Sequence, residues 1–121
     1  MAELRRNVYA RYLAAASTAR QVLEQLDAAG REQAGRRARE AFASVVPVYS
    51  ELELITTSKT VLQNSEQTLI WLEQMRDLAI GELAAGAEVR EMKALREKYR
   101  TSRRATVEAM RRELRIEHAS G

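Results

Sequence analysis

Residues 1–20 read "MAELRRNVYARYLAAASTAR". A basic pair followed by an apolar run opens three routes: a signal peptide, a membrane anchor, or the first turns of an amphipathic helix. A signal needs an unbroken apolar region and a small-residue cleavage site, and a span needs about 20 apolar residues. Ser17, Thr18, Arg20 and Gln21 interrupt this run too early for either. Leu4, Val8, Tyr12, Ala15, Ala19, Val22 or Leu23, and Leu26 instead step by threes and fours, while Arg5, Arg6 and Arg20 fall largely outside that face. The spacing predicts a long amphipathic helix, and the chain reads as cytoplasmic, with neither an address nor a membrane span.

The same reading extends outward. Within 121 residues there are five glycines, one proline and 31% charged residues, a composition that favours helix in a single domain large enough to bury its own core. No cysteine is present, which removes disulfides, thiolate metal sites and cysteine nucleophiles together. The net charge of +3 is unevenly spread. Arg90, Lys93, Arg96, Lys98, Arg100, Arg103 and Arg104 oppose only Glu91 and Glu97 in residues 90–104, whereas residues 40–82 carry seven acidic residues against Lys59 and Arg76. Two such segments are expected to face each other or solvent.

Three breaks divide the chain. "DAAGREQAG" supplies Gly30 as a cap and Gly35 as a weak turn, so a second helix runs from about Arg31 or Gln33 to Ile55. Its stripe is Ala34, Ala38, Ala41, Phe42, Val45, Val48, Tyr49 and Leu52, with a kink expected near Ala43 to Pro47 because proline lacks the N–H that would bond to Ala43. "ITTSKT" offers Thr57 or Ser58 as N-cap of a third helix reaching about Leu83. "GELAAGAEV" ends that helix at Gly86, and a fourth runs from near Ala87 to Glu117. The expected fold is all-α: a four-helix up-down-up-down bundle of long antiparallel helices over residues 1–117, with 118–121 a disordered tail.

Helix three carries a wide apolar arc, from Leu62, Leu69, Leu72, Ala79, Ile80 and Leu83 round to Met75, Trp71 and Leu78. It covers roughly 200°, about twice the stripe needed to pack one face. Either this is the most buried helix, or Trp71, Met75 and Leu78 anchor a second interface. Helix four poses the reverse problem. Its stripe of Val89, Met92, Leu95, Tyr99, Thr106, Val107, Met110 and Leu114 is interrupted by Arg103. A buried guanidinium requires a carboxylate or a route to solvent, so Arg103 is expected in a buried ion pair with Glu53, Glu66, Glu73 or Asp77, or with its head snorkelling out.

Chemistry-bearing constellations are scarce. The single histidine, His118, rules out a Glu-x-x-His di-iron bundle and a zinc centre, and no cofactor motif is present. Ser44, Ser50 and Ser102 have no base beside them, and a site of Arg11, Arg103 and Glu53 is the weak remaining option. A non-enzymatic bundle working through protein contacts, as a homodimer or small adaptor, is therefore expected. The alternative is a largely sequence-independent nucleic-acid binder using Lys93, Arg96, Arg100 and Arg104.

"RRNVYARYLAAA", "YSELELI" and "YRTSRRATVEAMRREL" together resemble an uncharacterised group of actinobacterial helical-bundle domains, often found behind a membrane helix or coiled coil. That group's pattern is a Tyr-Ala-Arg-aromatic-Leu start and a Tyr-x-x-x-Arg-Arg-x-aliphatic close. "TTSK" stands where an Ala-Pro pair is more typical. The resemblance implies a helical bundle and brings no activity with it.

Overall fold

A computed structural model of the chain describes residues 2–25, 31–81 and 87–120, with side chains at 3–25, 33–80 and 91–116. The elements are α1 (Ala2–Gln25), α2 (Arg31–Ala43), α3 (Val46–Ile55), α4 (Lys59–Gly81) and α5 (Ala87–Ser120), with no strand among the described residues. Gly30 and Gly86, the expected caps, lie outside the described residues. Helix α5 continues to Ser120, through positions expected to form the tail.

The expected second helix is interrupted rather than kinked. Ser44 and Val45 form a turn, with the Val45 N–H donating to the Phe42 carbonyl at 3.0 Å and the Ser44 hydroxyl to the Ala41 carbonyl at 2.7 Å. Pro47 thereby falls in the first turn of α3, where no intrahelical N–H bond is required of it. The apolar stripe survives this break. Ala34, Ala38, Ala41, Phe42, Val45, Tyr49 and Leu52 are all buried. Ser58 caps α4, its hydroxyl accepting from the Val61 N–H at 3.1 Å.

Helix α1 turns Val8, Tyr9, Tyr12, Ala16, Ala19 and Leu23 into the core and leaves Leu4 outside. The buried line of α4 is Val61, Ser65, Thr68, Leu72, Met75 and Ala79, spaced by threes and fours. Both α1 and α4 pack against all four other helices, whereas among the described residues α5 packs only on α1 and α4. The wide apolar arc of α4 follows from this central position. Trp71 on one flank reaches Ser102 of α5, and Arg76 on the other lies over Phe42 of α2.

Hydroxyl groups join the helices at several levels. Tyr12, fully buried, donates to the Ser65 carbonyl at 2.7 Å. Thr68 and Thr106 meet at 3.0 Å, and each also lies within bonding distance of the carbonyl four residues back, Asn64 and Ser102 respectively. Two hydroxyl protons serve these three contacts, so at most two form at once.

Candidate functional site: the polar clusters and the basic face of the last helix

Two polar clusters are built where α1 meets α5. The first stands at the end of the bundle shared by the start of α1, the end of α3 and the end of α5. Glu113 accepts from the Tyr9 hydroxyl at 2.8 Å and from Thr56 Oγ1 at 2.9 Å, and pairs with Arg5 Nε at 3.1 Å. Arg5 Nε also donates to the Ile55 carbonyl at 3.1 Å. The two charged side chains are only 12% and 8% exposed. Among the described residues this is the most buried ion pair, and it does not involve Arg103. Burial pushes the Tyr9 hydroxyl well above the usual phenol range, and the neighbouring Glu113 carboxylate adds to the effect against the opposing influence of Thr56 and Arg5.

The second cluster lies further along the same pair of helices. Glu24 pairs with Arg20 at 2.6 Å and with Arg96 at 2.5 Å. The Arg96 contact is close but poorly aligned, since neither Arg96 Nε nor Glu24 Oε1 has a hydrogen-bond partner of acceptable geometry. Tyr99 is buried beside them, and burial raises its pKa while the charges of Arg103 and Arg20 oppose the rise. Its hydroxyl has no aligned partner, nor does the buried Nε of Arg103.

Arg103 therefore takes the solvent-directed alternative and not the expected ion pair. No carboxylate lies within ion-pair distance of it among the described residues. Glu53, Glu66 and Glu73 are exposed, and Asp77 pairs with its neighbour Arg76 at 2.8 Å. The reason is positional: Arg103 lies at the margin of the α5 stripe, so its stem is half-buried while its head borders a surface hollow with Arg100, Arg104 and Arg111.

The other expected site residues are dispersed. Met75 is fully buried in the core of its own chain, which removes it from any exposed interface. Trp71 is half-buried, donates from Nε1 to Ser102 Oγ at 3.0 Å and carries the Lys98 ammonium 5.0 Å from its ring centre. Leu78 is half-buried. Of the basic set, Lys93 and Arg104 are exposed, Arg100 reaches Glu97 at 3.4 Å, and Arg96 is drawn to Glu24. No ion pair among the described residues joins this helix to the acidic segment of α2 to α4; both face solvent. Arg11 pairs with Glu51 at 2.6 Å on the exposed α1–α3 surface, and no contact among the described residues joins Arg11, Arg103 and Glu53.

Two surface features complete the picture. A groove of about 680 Å³ opens at the α2–α3 break, lined by Phe42, Val46, Pro47 and Ile80, with the Arg76 guanidinium 4.5 Å over the Phe42 ring. At the end of the bundle held by Arg5 and Glu113, Leu4, Leu54 and Ile116 are exposed. No group of three or more His, Cys, Asp or Glu side chains able to hold a metal ion occurs among the described residues, and no helix there is long and apolar enough to cross a membrane. Compared with known proteins, the chain matches no family model, no curated protein and no solved structure.

Proposed function

We infer that the chain is a non-enzymatic helical bundle acting through protein contacts, first of all with a second copy of itself. In this reading the arms alternate in direction, with α2 and α3 together forming the second arm. The order of contacts supports that topology. Arg5 meets Ile55 while Arg11 meets Glu51; Tyr9 meets Glu113 while Glu24 meets Arg96; Thr68 meets Thr106 while Trp71 meets Ser102. In each pair one number falls as the other rises.

The observation that carries the functional reading is the aliphatic end. Leu4, Leu54 and Ile116 are 48%, 90% and 63% exposed, on three helices tied together by the Arg5 contacts to Ile55 and Glu113. Large aliphatic side chains gathered at one end mark a surface that gains from being covered. A two-fold axis is the commonest way for one chain to cover such a surface. Trp71 and Leu78 on the α4 flank form a second, smaller contact surface. The cysteine-free composition suits a cytoplasmic setting, and the resemblance to the actinobacterial bundle group adds no activity to this reading.

Light scattering across a concentration series tests it. A dimer is expected for the wild type and a folded monomer of unchanged helix content for Leu54→Glu. A wild type that stays monomeric throughout, or a dimer indifferent to Leu54→Glu, refutes the reading. The exposed cations of α5 favour the nucleic-acid alternative. Saturable duplex or RNA binding near physiological salt, falling steeply as salt rises and lost when Lys93, Arg100 and Arg104 are neutralised, would put that alternative in its place.

A further inference from the structure

The outward face of α5 concentrates positive charge around one hollow. Arg100, Arg104 and Arg111 recur at intervals of four and seven residues, which brings them onto one side of the helix, and Arg103 flanks them toward the core. With Val107 and Glu108 they line a shallow depression of about 300 Å³. Four guanidiniums face a single carboxylate there. Arg103, Arg104 and Arg111 make no ion pair among the described residues, and the Arg100 contact to Glu97 is long, at 3.4 Å, and exposed. Like charges at these spacings repel one another, and among the described residues no carboxylate of α1 or α4 forms an ion pair with them.

A second observation comes from beneath the surface. Arg103 Nε is buried and has no hydrogen-bond partner, and the Tyr99 hydroxyl beside it is in the same condition. The phenol oxygen can accept as well as donate and the Arg103 side chain lies within its reach, but the contact is poorly aligned, so the Arg103 N–H stays unsatisfied. Buried donors without acceptors are costly, and an acceptor-rich ligand would satisfy the one that borders the hollow.

We propose that this hollow binds a small anion carrying two or more linked phosphates, of the pyrophosphate class, held by Arg100, Arg103, Arg104 and Arg111. Planar guanidiniums match phosphate oxygens in pairs, which favours phosphate over halide or a lone carboxylate. From Arg100 to Arg111 the helix rises about 16 Å, too far for one phosphate to serve all four side chains. The volume lies at the lower limit of small-ligand pockets, and the cations converge on one depression instead of tracking a long strand. No aromatic side chain lines it on which a base could stack. The site is independent of whether the chain self-associates.

Calorimetric titration of the full chain with inorganic pyrophosphate, with ionic strength matched by potassium chloride, tests the proposal. Thermal unfolding runs in parallel, since a ligand that binds only the folded state raises its stability by mass action. Saturable one-to-one binding and a raised melting temperature are expected. Arg104→Gln with Arg111→Gln, both exposed positions, should weaken binding at least about tenfold, the loss expected for removed charge-assisted bonds. Glu108→Gln should tighten it. Short duplex DNA and phosphatidylglycerol vesicles serve as comparison ligands. The proposal is overturned if pyrophosphate gives no more than the matched chloride, if the double substitution leaves binding unchanged, or if DNA or vesicles bind and excess pyrophosphate does not displace them.

Discussion

Removing the Glu113 side chain breaks the most buried ion pair among the described residues. In Glu113→Ala, Arg5 loses the Glu113 carboxylate while only 12% of its side chain reaches water, and the hydroxyls of Tyr9 and Thr56 lose the acceptor they share. Breaking a buried ion pair from one side costs about 3–5 kcal/mol. Each stranded hydroxyl adds about 1 kcal/mol or more, reduced where water enters the gap at the end of the bundle. A loss of about 4 kcal/mol is expected, a large fraction of the stability of a domain this size. Urea unfolding followed by far-UV circular dichroism measures it, with the slope against urea unchanged if only the folded state is affected.

The same cluster permits a control on the cause. Replacing both charges by apolar residues of similar size, Arg5→Met with Glu113→Leu, removes the attraction and the desolvation cost together. The double variant should recover most of the loss, because buried pairs exchanged for well-packed apolar residues are often close to neutral. The cycle built from the two single variants and the double should show strong coupling. A Glu113→Ala cost below about 1 kcal/mol, or single effects that add within about 0.5 kcal/mol, would mean that water already screens the pair, and the reasoning fails.

High pH offers a second test. All four tyrosines have pKa values raised chiefly by burial, Tyr49 up to about 12 with the Glu53 and Glu66 charges contributing, and Tyr9, Tyr12 and Tyr99 also above the ordinary value of 10. Above pH 10 the unfolded chain therefore releases protons that the fold retains, so stability present below pH 10 is lost as pH rises toward 12 and beyond. Tyrosinate absorbance and loss of helix should appear together; tyrosinate forming near pH 10 with helix intact contradicts this. Thr106→Val should cost about 1 kcal/mol or less, because the Thr68 hydroxyl can turn to the Asn64 carbonyl, and Thr68→Val with Thr106→Val should be near neutral by urea unfolding. A loss above about 2 kcal/mol in the double variant would show that the hydroxyl pair is itself a major source of stability.

Periodicity makes the elements legible. The stripe from Ala34 to Leu52 is buried except at the half-buried Val48, and Ser58 caps α4 as its residue type suggests. The α2–α3 break is half legible: Pro47 announces a disturbance, but whether a helix bends or restarts depends on the turn formed by Ser44 and Val45. The centre of α4 is missed because Ser65 and Thr68 are polar, so the bulkier Leu62, Leu69 and Trp71 draw the apolar arc away from the true buried line. Their spacing with Val61, Leu72, Met75 and Ala79 was the available signal. Glu113 follows Thr106 and Met110 at the same spacing, yet its charge argues for solvent; only its partners Arg5, Tyr9 and Thr56, distant in sequence, make burial tolerable.

The polar groups inside this bundle also address a problem that its apolar residues leave open. Seams rich in alanine, such as the buried Ala16 and Ala19 of α1 and Ala34, Ala38 and Ala41 of α2, fit one another in several registers because small side chains interlock weakly. A slip of one helical turn displaces a residue by 5.4 Å, beyond the reach of any hydrogen bond. Tyr12 to the Ser65 carbonyl, Tyr9 to Glu113, Thr68 to Thr106 and Trp71 to Ser102 each join helices far apart in sequence, and all four would break in a slipped register. Their net contribution to stability is modest, but the penalty for burying the same groups unpaired falls on every competing arrangement. Alanine gives close approach, and the buried hydroxyls and carboxylate select which approach is native. Arg103 breaks this pattern, its buried Nε unpaired beside the hollow it shares with Arg100, Arg104 and Arg111, so that hollow is the place where a ligand rather than a neighbouring helix would complete the set.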